Sequence, residues 1–296
     1  MQCLEVWGGN EPTDRTVSMA GLDAVVLSIP HGHSVAGGDI HYLSSCATGR
    51  IARVLLADVS GHGDSVSTIA QSLRDLMRRH INVVDPMRMV RGLNRAFTDS
   101  DTGGTFATAV AATYWAPNRS LVISNAGHPR PLVYRAATKQ WDRISIDDGA
   151  AGPDPGGGDD LPLGIDAEGS YSQVRVRLEA GDVVLFYTDA LIEASAQDGR
   201  MLGESGLLEL VRSVHATDGS ELVRRVVDGV AAYRGGLPAM DDTTIMAISP
   251  NDIESRANLR MIASGVLSAA TARLRAGVRA MPSFGRMKDA GKAIVD

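Results

Sequence analysis

Four aspartates, Asp39, Asp58, Asp189 and Asp241, each stand where an apolar run begins or ends. Asp58 closes Leu55-Leu56-Ala57 and opens the turn Val59-Ser60-Gly61-His62-Gly63, whose glycines let the chain reverse tightly. Taken alone, Asp58 reads equally as a helix N-cap or as the first half of a hard-metal site. Asp189 follows the apolar stretch Val183 to Tyr187, Asp39 follows Gly37-Gly38, and Asp241-Asp242 precede the final apolar run. If the four converge, like charges about 4 Å apart repel by roughly 4 kcal/mol per pair at an effective dielectric near 20. Such a cluster requires cations or protons. Oxygen ligands select Mg²⁺ or Mn²⁺ over zinc, and two such ions about 3.5–4 Å apart can activate a water for attack on phosphorus.

The surrounding elements must deliver these carboxylates to one place. Valine-rich 23–29, then 40–45 and 53–57, read as strands. From Ser65 to about Ile81 the period turns helical, with Val66, Ile69, Ala70, Leu73, Met77 and Ile81 on one face. Asp85-Pro86 reads as an N-cap with proline at the first helical position. Four short strands follow, at 106–115, 120–125, 130–135 and 142–146, and their spacing predicts antiparallel pairing. Residues 147–160 form a glycine- and proline-rich loop, 174–178 and 183–187 are strands, and 191–203 reads as a flap. Helices at about 205–214 and 220–233 precede a last strand, 243–249. His31 and His33 read as loop histidines. Residues 1–20 are polar and weakly patterned, so the expected domain is 21–249, with an N-terminal segment before it and a helical extension, 250–296, after it. That extension holds eight lysines and arginines against four acids. It reads as a packing helix, with a dimer, partner or membrane-surface contact as the alternative.

Composition narrows the class. The net charge of −6 argues against nucleic acid as the main partner. Two cysteines make no disulfide framework. No run of about 18 apolar residues occurs, and the N-terminus lacks a signal-peptide pattern, so a cytoplasmic protein without a transmembrane segment is expected.

Seven segments come in an order that resembles bacterial PPM-type (PP2C-like) serine/threonine phosphatases. They are Ala36 to Asp39, Ala57 to Gly63, Phe106 to Ala109, Ser124 to Pro129, Leu161 to Ile165, Phe186 to Glu193 and Asp241 to Thr244. The closer likeness is to the sporulation and stress-response branch that acts on anti-sigma factor antagonists. The resemblance implies an α+β fold, a PP2C-like β-sandwich of two antiparallel sheets flanked by α-helices. It implies two divalent cations, Mn²⁺ or Mg²⁺, and hydrolysis of phosphoserine or phosphothreonine on a phosphorylated protein such as an anti-sigma factor antagonist. Asp39, Asp58, Asp189, Asp241 and the main-chain carbonyl of Val59 would be metal ligands, with Asp242 assisting. Asn125 and His128 would lie near the site in a mainly structural turn. His62 is a candidate general acid for the leaving serine oxygen. Two positions depart from the branch's pattern: Tyr42 stands where an outer carboxylate is usual, and Ala190 where glycine follows the aspartate. On these rests an alternative, a catalytically weak pseudophosphatase that binds a phosphoprotein. A hydrolase for small phosphoesters is a third reading. The sensor domain often found ahead of this domain is not seen, so control is expected from a partner, the C-terminal helix or transcription.

Overall fold

The computed structural model describes residues 3–46, 48–61, 64–100, 104–144, 159–216 and 218–253. One sheet has strand order β1 (Cys3–Gly9), β4 (Asp39–Cys46), β5 (Ile51–Val59), β6 (Ala107–Trp115), β7 (Ser120–Ala126) and β10 (Gln173–Arg177). The other runs β2 (Thr13–Met19), β3 (Leu22–Ile29), β12 (Thr243–Pro250), β11 (Val183–Tyr187), β8 (Leu132–Arg135) and β9 (Gln140–Arg143). All pairings between neighbouring strands are antiparallel.

Strand alternation sorts the core into three layers. Leu43, Val54, Leu56, Val110 and Ala112 of the first sheet meet Ala24, Val26, Val184, Phe186 and Met246 of the second. The first sheet's outer face packs Ile40, Tyr42, Leu55 and Ala57 beneath helices α1 (Asp64–Arg79) and α2 (Pro86–Thr98). The second sheet's outer face packs Val25, Leu185 and Ile245 beneath α3 (Gly203–Ser213) and α4 (Gly219–Arg234). With both faces of each sheet covered, central strands such as β5 and β6 are apolar on both sides. Asp85 caps α2 by accepting the Arg88 N–H at 2.9 Å, and Asp218 caps α4 by accepting the Glu221 N–H at 2.8 Å.

Residues 3–19, read from the sequence as a polar lead-in, are strands of both sheets. Each lies at a sheet edge, where one face meets solvent and polar residues are tolerated. Glu5 on β1 pairs with Arg74 and Arg78 of α1, tying that strand to the helix. β9 is shifted toward the N-terminus from its expected position at 142–146, because Trp141 is its buried residue. Most of residues 147–160, expected to be a glycine-rich loop, and residues 254–296, most of the expected helical extension, lie outside the described residues. No described helix is long and apolar enough to cross a membrane.

Candidate metal centre

Asp39 and Asp58 are register partners where β4 starts and β5 nears its end. Both point between the sheets, on the face that carries Leu43 and Leu56 further along. The same row continues to Thr108 on β6. Thr108 Oγ1 hydrogen-bonds His128 Nδ1 at 2.8 Å. His128 is locked in its turn by Asn125, whose side chain donates to the His128 carbonyl at 2.8 Å and accepts its N–H at 2.7 Å. Asn125 and His128 therefore frame the row from behind.

Asp189 enters from the second sheet, at the first residue of a short 3-10 turn after β11. Asp241 lies just before β12 and accepts the Asp242 N–H at 2.8 Å. Asp242 itself turns to the loop that precedes β4, accepting from His31 N at 2.6 Å and Gly38 N at 2.5 Å. It pins the chain that presents Asp39. The two glycines of that loop are required by space. A Cβ on Gly37 would stand 2.5 Å from the Asp242 carboxylate, and one on Gly38 would stand 2.9 Å from the Val59 carbonyl oxygen.

Electrostatics mark this as a strained collection of negative charge. Burial, then Asp189, Asp241, Asp242 and Glu193, push Asp58 up to about 8. Burial, then Glu193 and Asp241, push Asp189 up to about 6. Burial, then the Asp58 charge, raise Asp39 well above the carboxylate range. Thr188 donates its hydroxyl to Asp39 Oδ2 at 3.0 Å, bridging the two sheets, while the buried Asp39 Oδ1 has no hydrogen-bond partner among the described residues. Among those residues, no three His, Cys, Asp or Glu side chains form a ready-made ligand group for an ion. Carboxylates that repel one another do not close up without a cation between them.

The residues nevertheless fit divalent ions. The donors are all oxygen, Asp39 Oδ1 is buried without a hydrogen-bond partner among the described residues, and the Val59 carbonyl lies beside a glycine where a Cβ would crowd it. Sequence reasoning missed two contributors. Thr188 and Glu193 flank the Asp189 segment, and only the tertiary structure turns Thr188 toward Asp39 and sets Glu193 among the carboxylates. His62 lies outside the described residues. Both departures from the branch's pattern are accommodated. Tyr42 packs into the helix-side core, and Ala190 lies in a right-handed turn that needs no glycine.

A helix-covered double sheet with carboxylates gathered at one end is the architecture of a PP2C-type phosphatase domain. The chain belongs to the Stage II sporulation protein E (SpoIIE) family, whose profile matches residues 48–251. It is 23% identical over 228 residues to the phosphoserine phosphatase RsbU of Bacillus subtilis (strain 168), covering 77% of this chain and 63% of that relative. It thus spans less than two thirds of the relative's length. Among solved structures, the RsbU and RsbW domains of a Mycobacterium tuberculosis protein superpose with a TM-score of 0.64 at 20% identity, covering 82% of this chain and 63% of that one. The catalytic domain of the serine/threonine phosphatase PstP, solved with two manganese ions, superposes with a TM-score of 0.53 at 16% identity, covering 78% of this chain and 99% of that one.

Proposed function

We propose that the chain is a metal-dependent protein phosphatase that hydrolyses phosphoserine or phosphothreonine. The observation that carries this reading is the Asp39–Asp58 pair in register between the sheets, joined by Asp189 and Asp241 from the opposite side. Asp39, Asp58, Asp189, Asp241 and the Val59 carbonyl would hold two divalent cations, Mn²⁺ or Mg²⁺. Bound there, the cations supply the positive charge that polarises a phosphoryl group and makes water a nucleophile at neutral pH. The protein's own part is positional. Thr188 orients Asp39, Asp242 fixes the loop before it, and the Thr108–His128 pair backs the row. Burial keeps the carboxylates in a setting where their interaction with a cation is strong.

The substrate assignment, a phosphorylated anti-sigma factor antagonist in the cytoplasm, rests on the likeness of the motifs to that branch and on similarity to a phosphoserine phosphatase. The alternative is a pseudophosphatase that binds a phosphoprotein without turnover; the burial of Tyr42 beneath the helices and the right-handed turn at Ala190, which leave all four aspartates in place, favour the enzyme. The test is phosphate release from a phosphoserine peptide and from a generic aryl phosphate, with Mn²⁺ and with excess chelator. Release from both in Mn²⁺ and from neither in chelator is expected. Undiminished release in chelator would remove the two-cation reading. Release from the aryl phosphate alone would favour a small-phosphoester hydrolase.

A further inference from the structure

A cavity of about 240 Å³ opens beside the carboxylates and shares Glu193 and Asp241 with them. Its other walls are mostly apolar, with Ala190, Ala194, Leu237, Pro238 and Met240, and the polar groups among them are Ser195 and Arg234. The walls are cross-linked. Gln197 Nε2 donates to the Gly235 carbonyl at 2.9 Å, and the Tyr233 hydroxyl donates to the Arg200 carbonyl at 3.1 Å. Gly235 and Gly236 take φ of 61° and 91°, which turns the chain sharply after α4 and sets Leu237 and Pro238 into the wall. The cavity is therefore formed before anything binds.

Two features say what it takes. Leu237 is 47% and Met240 80% exposed, large apolar groups at the mouth of an otherwise acidic site. Side chains so placed gain free energy when covered, in proportion to the apolar surface removed from water. Arg234, at the end of α4, supplies the cation in this wall. It makes no ion pair among the described residues, and its Nε is buried with no hydrogen-bond partner there. A small phosphoester carries no apolar side chain to fill such a wall, whereas a peptide substrate does.

We propose that the cavity receives an apolar side chain, of leucine or methionine size, close to the phosphoserine of a protein substrate, with Arg234 meeting a carboxylate of the same segment. This rests on the phosphatase reading above. It makes Leu237, Met240 and Arg234 specificity-determining, since none of them belongs to the carboxylate cluster.

The test is a set of phosphoserine peptides in which each flanking position is varied between leucine and serine, and between aspartate and serine. Turnover in saturating Mn²⁺ is expressed relative to a generic aryl phosphate. Leucine at one flanking position should raise relative kcat/KM by about tenfold, the scale of one well-filled apolar pocket. Leu237→Glu and Met240→Glu should each cut that preference to twofold or less, and Arg234→Glu should abolish a preference for the aspartate. Aryl phosphate turnover without any leucine preference, or a preference untouched in both glutamate variants, would overturn the inference. If no substrate is hydrolysed, the phosphatase reading fails, and binding of fluorescent phosphonate analogues of the same peptides still decides the cavity. Leucine-dependent affinity lost in Leu237→Glu supports it; equal affinity for all peptides overturns it. Melting temperatures confirm that these surface variants remain folded.

Discussion

Replacing Asp58 by asparagine tests whether the carboxylate cluster is held together against its own repulsion. In the metal-free protein, Asp58 is pushed from the ordinary 3.8 up to about 8, so at pH 7 it keeps a proton that the unfolded chain has lost. Holding that proton about three pH units above the ordinary value costs about 4 kcal/mol, at 1.36 kcal/mol per unit. The sign follows from linkage. A carboxylate whose folded pKa is raised contributes stability below pH 4 and loses it as pH rises through 8. Asparagine keeps the shape and drops the charge. In chelator, Asp58→Asn should match the parent near pH 4 and exceed it at pH 7 by up to about 4 kcal/mol, a rise on the order of 10 °C for a domain this size. Two buried imidazoles act in the opposite sense. His41 is pushed down to about 4 and His128 to about 3 by burial, so both withdraw stability as pH falls below 6.5. They do so in both proteins, so the difference between the two melting curves reports Asp58 together with the carboxylates its charge repels, Asp39 among them. Mn²⁺ should then reverse the order, raising the parent's melting temperature by mass action and the variant's far less. Parallel curves for the two proteins across pH 4.5–8 in chelator would refute the reasoning.

Asp189→Asn should lower turnover in saturating Mn²⁺ on the order of 10²-fold, the scale for one lost transition-state electrostatic element. In chelator it should melt at the parental temperature or above, because burial and the neighbouring Glu193 and Asp241 already disfavour its charge. Asp242→Ala strips an acceptor from the His31 and Gly38 N–H groups, at about 1–3 kcal/mol for each buried donor left unmet. It should lower the melting temperature with or without Mn²⁺, and an unchanged melting temperature would show that the loop is held elsewhere. If His62 protonates the leaving serine oxygen, His62→Ala should slow phosphoserine hydrolysis far more than nitrophenyl phosphate hydrolysis, whose leaving group needs no proton. Equal slowing would assign His62 another role.

What the sequence shows and hides follows from burial. β3, β5, β11 and β12 are apolar runs bounded by glycine or aspartate, and they sit where that pattern places them. The four aspartates could be picked out because each interrupts such a run at its end. β1 and β2 were invisible for the converse reason. In β2 only Met19 is buried, since an edge strand needs few apolar residues. In β1, Gly8 reads as a turn, yet it is there because a Cβ would lie 2.9 Å from the His41 carbonyl of the neighbouring strand. The work of Thr188 and of Asp242 is equally silent in the sequence. Each acts on a partner at the far end of the chain, Asp39 in one case and the 31–38 loop in the other.

Tyr42 shows how strand geometry can overrule a motif comparison. It lies three residues after Asp39 on the same strand, and side chains alternate faces at every residue. An odd separation therefore sends Tyr42 to the helix side while Asp39 points between the sheets. Three residues at about 3.3 Å each also carry it roughly 10 Å along the strand. There it is fully buried under the helix layer, with Glu5, Arg78 and Arg74 as its charged neighbours, and burial pushes its hydroxyl up to about 12. A carboxylate introduced by Tyr42→Asp would be buried in that apolar layer, and would destabilise the fold before it could strengthen an ion site. The loss of a carboxylate at this position therefore bears on the packing of β4 against α1, and leaves Asp39, Asp58, Asp189 and Asp241 as they stand.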